Sequence, residues 1–258
     1  MSWAITQWEG QSILALLSLA SLAASTGFFA SLDLCADEYL LLFAPRERIA
    51  SVSHLVKDEA ESPLAPMAKS VAANDGALES LAGRGISIAF TTRPIDPSRR
   101  RLAERLGIRL VSLGFARGPG DVADNVRKFA SMFSGKAPAR DWLGRYRRLA
   151  ASAPPPRPRH WVSASGAYPG ESADGWLRLA GIRLAPFGSG LGRIEQVAAA
   201  RHPLLLSDYR AGQYSRNAEW LAHPLVKAKI ERARKVDGRP FTCAGPLMLD
   251  LAEELRRR

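Results

Sequence analysis

Two stretches of this chain, residues 78–91 (LESLAGRGISIAFT) and 194–207 (IEQVAAARHPLLLS), carry one pattern twice: a glutamate, a short amphipathic turn, then an apolar run. Glu79 and Glu195 open the two copies, Leu81 and Val197 supply apolar partners, and strands are expected at Ile86–Phe90 and Leu204–Leu206. Such a repeat points to two similar lobes rather than one continuous sheet. It also sets two carboxylates at equivalent places. Either a symmetric partner reads both, or each merely complements the positive end of a helical turn; the repeat alone leaves both readings open.

Around the repeats, strand and helix signals alternate. A strand at Phe28–Leu34 leads into a helix at Ala36–Phe43, stopped by Ala44-Pro45, and a second strand covers Arg48–Ser53. Lys57–Ala73 is aperiodic and contains proline, so it reads as loop with a short helix, and Asn74-Asp75-Gly76 is a turn. A helix at Pro97–Leu106 and a strand at Arg109–Leu113 complete the first half. From Asp121 to Ser152 the text is helical, interrupted at Ser134–Pro138 and ended by Pro154-Pro155-Pro156. The helical residues after the break would span roughly 20 Å, enough to bridge two small lobes. Beyond it come a strand at His160–Ser163, a helix at Ser172–Ala180, the second glutamate segment, a helix at Ala218–Ile230, a short strand near Val236 and a last helix at Leu247–Arg257. This order specifies an α/β chain of two Rossmann-like lobes with parallel sheets, joined by one long connector helix. The expected boundaries are 25–118 for the first lobe, 119–152 for the connector and 153–258 for the second lobe.

Residues 1–24 read as a secretory signal, because Ser12–Ala24 (SILALLSLASLAA) is apolar, rich in small residues and too short for a confident span. No Lys or Arg precedes it, so an uncleaved anchor or a buried first helix stays open. The 258 residues hold 36 Lys plus Arg against 25 Asp plus Glu, and the surplus lies in the second half. That balance favours an anionic ligand or surface. No helix-turn-helix, zinc-finger or RNA-recognition signature accompanies it, so no nucleic-acid partner is expected, and a basic module for nucleic acid or anionic lipid is the rival reading of the charge alone. Cys35 and Cys243 are the only cysteines, too far apart for a local metal or redox motif. One long-range bridge and two free thiols are both open.

Catalytic signatures are missing: there is no GxSxG elbow, no HExxH helix and no Walker sequence, and an enzyme is not expected. His54, His160, His202 and His223 show no ligand spacing, so neither a protein-held metal nor a resident cofactor is expected, and a bare transition-metal receptor using His54 beside the cleft is the alternative reading. Ligands of open α/β sheets sit beyond the carboxyl ends of strands. That rule selects the loops 33–36, 91–95, 165–169, 208–214 and 241–245. They offer Cys35, Arg93, Tyr168, Tyr209, Arg210 and Phe241, aromatic walls with cationic points, though each taken singly is also an ordinary loop residue.

The stretch SLDLCADEYLLLFAPRERIASVSHL (31–55), the Glu79 segment, the connector, the Glu195 segment and the ending TCAGPLMLDLAEEL (242–255) together resemble the helical-backbone periplasmic binding proteins of ABC importers, which carry cobalamin, ferric siderophores or haem. The resemblance spans almost the whole chain after residue 24. It implies a monomeric periplasmic protein that grips a small-molecule metal chelate between its lobes, with the six loop residues above as candidates for ligand contact. It also implies that Glu79 and Glu195 dock on arginines of the importer's two transmembrane subunits, a charge-assisted pairing that fixes orientation. The family's PDLV before the strand of each lobe is replaced here by Arg84-Gly85-Ile86 and Arg201-His202-Pro203.

Overall fold

The computed structural model describes residues 27–133, 136–163, 168–208 and 216–257. The leader expected at 1–24 lies outside them. The first half forms five strands, β1 (Phe28–Ser31), β2 (Ile49–Ser53), β3 (Ala72–Asn74), β4 (Ile86–Thr91) and β5 (Arg109–Ser112), in the order β3-β2-β1-β4-β5. The second half forms β6 (Arg157–Ser163), β7 (Ile182–Leu184), β8 (Leu204–Asp208) and β9 (Arg234–Asp237), in the order β7-β6-β8-β9. Every pairing is parallel. Parallel neighbours need crossover connections, supplied largely by α1 (Leu34–Phe43), α2 (Ala65–Ala68) and α3 (Pro97–Arg105) in the first lobe and α6 (Glu171–Leu179), α7 (Arg193–Ala198) and α8 (Pro224–Glu231) in the second. Between the sheets run α4 (Pro119–Ala130) and α5 (Ala137–Ala151), and α9 (Met248–Arg257) closes the chain.

The expected α/β architecture with two parallel-sheet lobes is what the chain adopts, and the connector is a pair of helices, one ending at Ala130 and the next starting at Ala137. The repeat has a topological meaning. β4 lies beside β1 and β8 beside β6, so the two glutamate segments feed equivalent strands.

Several boundaries differ from expectation. The first strand stops at Ser31, because Asp33 accepts from the backbone N–H of Ala36 at 2.9 Å and starts α1 two residues early. β3 and β7 were not expected. Each is a three-residue edge strand with one neighbour, too short to show alternation. The helix expected at Ala218–Ile230 splits at His223-Pro224 into a 3₁₀ turn, Arg216–Ala222, and α8. Proline lacks the N–H that would continue a helix and pushes the residue before it towards extended backbone.

One core crosses both lobes. Phe29 and Phe90 of the first sheet, Trp161, Leu205 and Val236 of the second, and Phe129, Trp142 and Trp176 of the helices between them belong to a single buried cluster. The outer face of each sheet has its own smaller core, around Ala30, Ile86 and Ala89 in one and Val162, Leu204 and Leu206 in the other. Polar bonds fasten α5 and α6 to the segment before α9: Trp142 Nε1 donates to Pro246 O at 3.0 Å and Trp176 Nε1 to Ala244 O at 3.3 Å. Arg145 of α5 pairs with Glu253 at 2.6 Å and with Asp250, both on α9.

Cys35 and Cys243 form a disulfide with their Cα atoms 5.2 Å apart, which resolves the choice the sequence left open. Cys35 stands four residues past β1 and Cys243 six past β9, so the carboxyl edges of the two sheets meet there. Ala244 beside it holds a left-handed φ of 46°, a conformation that costs a non-glycine residue about 1 kcal/mol and persists only where neighbours enforce it. Cys35→Ser with Cys243→Ser, or reduction of the bridge, should lower unfolding free energy by about 2–5 kcal/mol in denaturant titrations.

Two acids of α1 are buried at this joint. Asp37 accepts from Ser53 N at 3.0 Å and from the hydroxyls of Ser31 and Ser53, tying α1 to β1 and β2. Glu38, 3% exposed, accepts from Leu247 N across the seam at 3.4 Å. Burial raises the Asp37 carboxyl to about 7 and the Glu38 carboxyl to about 8. An unfolded glutamate ionises near 4.5. Between that pH and 8 the folded chain keeps a proton that the unfolded chain has released, so stability is highest below the window and falls as pH rises through it. Glu38→Gln keeps an acceptor for Leu247 N. In guanidinium titrations it should lose less stability than the parent between about pH 5 and about pH 8.5.

Candidate functional site

In the first sheet the strand order reverses between β1 and β4, and a crevice opens beyond the carboxyl ends of strands at such a point. Asp33 lies just past β1 at that point. The carboxylate is 8% exposed and takes donors from four groups: Thr91 Oγ1 at 2.7 Å and Thr92 N, Thr92 Oγ1 and Ala36 N at 2.9 Å each. Arg93 follows directly, its backbone N–H on Thr91 Oγ1 at 3.1 Å and its side chain exposed. Asn74, at the end of β3, donates to Ser31 O and Ser51 Oγ at 2.9 Å, fixing the neighbouring strand ends. Gly76 then turns with φ +85°, and a Cβ there would lie 2.8 Å from Leu32 O, so only glycine fits this approach. Two large apolar side chains stand exposed on the same edge, Leu55 past β2 and Phe115 past β5.

The second sheet reverses between β6 and β8. A hollow of about 220 Å³ opens at the carboxyl end of β6, walled by Trp161, Tyr168, Trp220 and Arg193 with Ser163 beside them. Tyr168 is 60% exposed at its mouth. Arg193 holds its guanidinium 5.3 Å from the Trp220 ring centroid, a cation–π approach. Trp220 Nε1 is buried and has no hydrogen-bond partner among the described residues. A buried donor of that kind asks for an acceptor from a ligand or water. Phe241 packs edge-on against Trp161, ring centroids 5.0 Å apart. Nearby, Arg239 pairs with Asp237 at 2.7 Å and also donates to Glu59 O of the first lobe at 2.6 Å.

The structure therefore sets Arg93 on one carboxyl edge and Tyr168 and Phe241 on the other, with Cys35 between them at the seam. Cys35 contributes there as half of a disulfide, with no thiolate to offer. Tyr209 and Arg210 lie outside the described residues. Sequence reasoning missed Asp33, Leu55, Phe115, Arg193 and Trp220. Asp33 had a readable signal, an aspartate between a strand and a helix start; the others carry none until the sheet edges are known. Glu79 opens the 3₁₀ turn Glu79–Leu81 and Glu195 lies in the first turn of α7. Both are exposed, and neither carboxylate has a partner among the described residues beyond its own segment. Among those residues no group of three or more His, Cys, Asp or Glu could hold a metal ion, and no helix is long and apolar enough to cross a membrane.

No family model and no curated protein matches the chain. Solved structures do. The periplasmic haem-binding protein HutB of Vibrio cholerae is 13% identical, with a TM-score of 0.63 over 90% of this chain and 98% of that one. The periplasmic vitamin B12 binding protein BtuF of Vibrio cholerae is 15% identical, with a TM-score of 0.57 over 90% and 95%. Ceue of Helicobacter pylori, solved with Ni(II) bound, is 12% identical, with a TM-score of 0.58 over 89% and 82%. The chain thus has the two-lobed fold of these periplasmic binding proteins.

Because Asp33 gathers donors from β4, its following turn and α1, Asp33→Ala should cost about 3 kcal/mol in denaturant titrations, far more than Arg93→Ala on the exposed rim.

Proposed function

We propose that this protein is the periplasmic solute-binding component of an ABC importer, a binder and not an enzyme. It captures a cobalamin-like or iron-chelate ligand, siderophore or haem, between its lobes and delivers it to the transmembrane subunits. The observation that carries this reading is the convergence of both carboxyl sheet edges on one seam, lined by aromatic and cationic side chains. Leu55, Phe115 and Arg93 stand exposed at the carboxyl edge of the first sheet, and Tyr168, Trp220 and Arg193 line the hollow at that of the second. A large ligand that is partly apolar and partly anionic matches that mixture. The fold likeness to binders of haem, vitamin B12 and nickel supports the same class.

Delivery rests on Glu79 and Glu195. Their segments precede topologically equivalent strands and leave both carboxylates free for charge-assisted contact with arginines of a two-fold partner.

Haemin and cyanocobalamin absorb visibly, so titration of each into the purified protein reads binding directly. Saturable binding of one, weakened about tenfold by Tyr168→Ala with Arg93→Ala, is expected. Glu79→Ala with Glu195→Ala should leave that affinity unchanged while abolishing uptake of the bound compound in cells. Failure of every visible chelate to bind would overturn the ligand class, and normal uptake by the double variant would overturn the docking role.

A further inference from the structure

His160 and Val162 alternate with Trp161 along β6, so they share the sheet face opposite the common core. On that face, between α7 and the chain that follows β7, lies a second cavity of about 530 Å³. Its floor is aromatic. The His160 ring, 6% exposed, stacks on Phe187 with centroids 4.5 Å apart and planes 12° apart, and His202 leans on it at 5.2 Å. His160 Nδ1 lies 3.1 Å from Ala185 O. A carbonyl can only accept, so Nδ1 carries the hydrogen, and Nε2 remains for a ligand, as a lone pair on the neutral ring or a donor on the protonated one.

The rim is cationic. The side chains of Arg183 and Arg201 are exposed and have no partner among the described residues, and no acidic residue lines the cavity. Arg201-His202 stands where the resemblance would place a Pro-Asp pair, so the positive charge is a departure of this chain from the pattern it otherwise resembles. Two guanidiniums beside two imidazoles repel a bare cation and attract an anion. The apolar floor adds a second requirement, a flat body able to stack.

We propose that this cavity is a binding site for a small anion, a carboxylate or phosphate monoester, that carries an aromatic or similarly flat apolar body. Arg183 and Arg201 hold the charged group, His202 and His160 Nε2 lie beside it, and Phe187 faces the apolar body. The site is separate from the seam. Phe187 and Gln196 line both this cavity and the Tyr168 hollow, so the two adjoin.

The probes are benzoate, phenyl phosphate and inorganic phosphate, titrated into the full chain while the histidine ring nitrogens are followed by NMR. Benzoate or phenyl phosphate should shift the His160 and His202 signals saturably, and which of the two binds tighter distinguishes a carboxylate from a phosphate ligand. Inorganic phosphate, lacking a body to stack, should bind at least about tenfold more weakly. Arg183→Ala with Arg201→Ala, both exposed and so compatible with folding, should weaken the better probe by about tenfold or more. Tyr168→Ala should leave it unchanged. Absence of any saturable shift up to about 10 mM, or undiminished affinity in the arginine double variant, would overturn the proposal. Loss of affinity in Tyr168→Ala with retention in the arginine variant would move the binding to the hollow and overturn it equally.

Discussion

The geometry of this protein depends on a hydrophobic core that ignores the division into lobes. Phe29 and Phe90 on one sheet and Trp161 and Val236 on the other bury into one cluster, filled between by α1, α4, α5, α6 and α9. Hinging the lobes apart would expose that surface to water, at roughly 25 cal/mol for each Å² uncovered. The Cys35–Cys243 bridge and the Glu38–Leu247 contact then fix where the two halves meet. The apolar core supplies the resistance to opening, and the polar and covalent links set the register.

Much of this was legible in the chain because the physics that encodes it is local. The duplicated glutamate segment announced two lobes, and the alternation of short apolar runs with helical stretches announced parallel sheets. What failed did so for nameable reasons. Ala72–Asn74 and Ile182–Leu184 are three-residue edge strands, too short for an alternating pattern to show in the sequence. His223-Pro224 split a helix whose apolar spacing runs straight through the break. A disulfide between residues 35 and 243 needs the whole tertiary structure to bring its partners together.

The site was less legible than the fold. The rule that ligands sit beyond strand ends selected loops by their place on the sheets and named Arg93, Tyr168 and Phe241 in them. It could not rank residues within a loop. Asp33 matters because four donors converge on it, and those donors come from Ala36 and from Thr91 and Thr92, nearly sixty positions away. Trp220 enters the hollow only through the 3₁₀ turn that the proline break creates. The cavity behind α7 was hidden for the opposite reason: His160 and His202 were judged by spacing in sequence, whereas their rings meet because β6 and the segment entering β8 run side by side.

A core shared so completely by both halves has one further consequence for the carrier role proposed above. Lobes that closed like jaws would change the spacing of the two carboxylates and so mark a loaded copy. Here Glu79 and Glu195 ride on sheets whose separation is set by packed aromatic rings, so full and empty copies would show a membrane receptor almost the same face. Empty carriers would then compete with loaded ones for the same berth, and traffic would be governed by how many copies of each kind are afloat rather than by a signal written in shape.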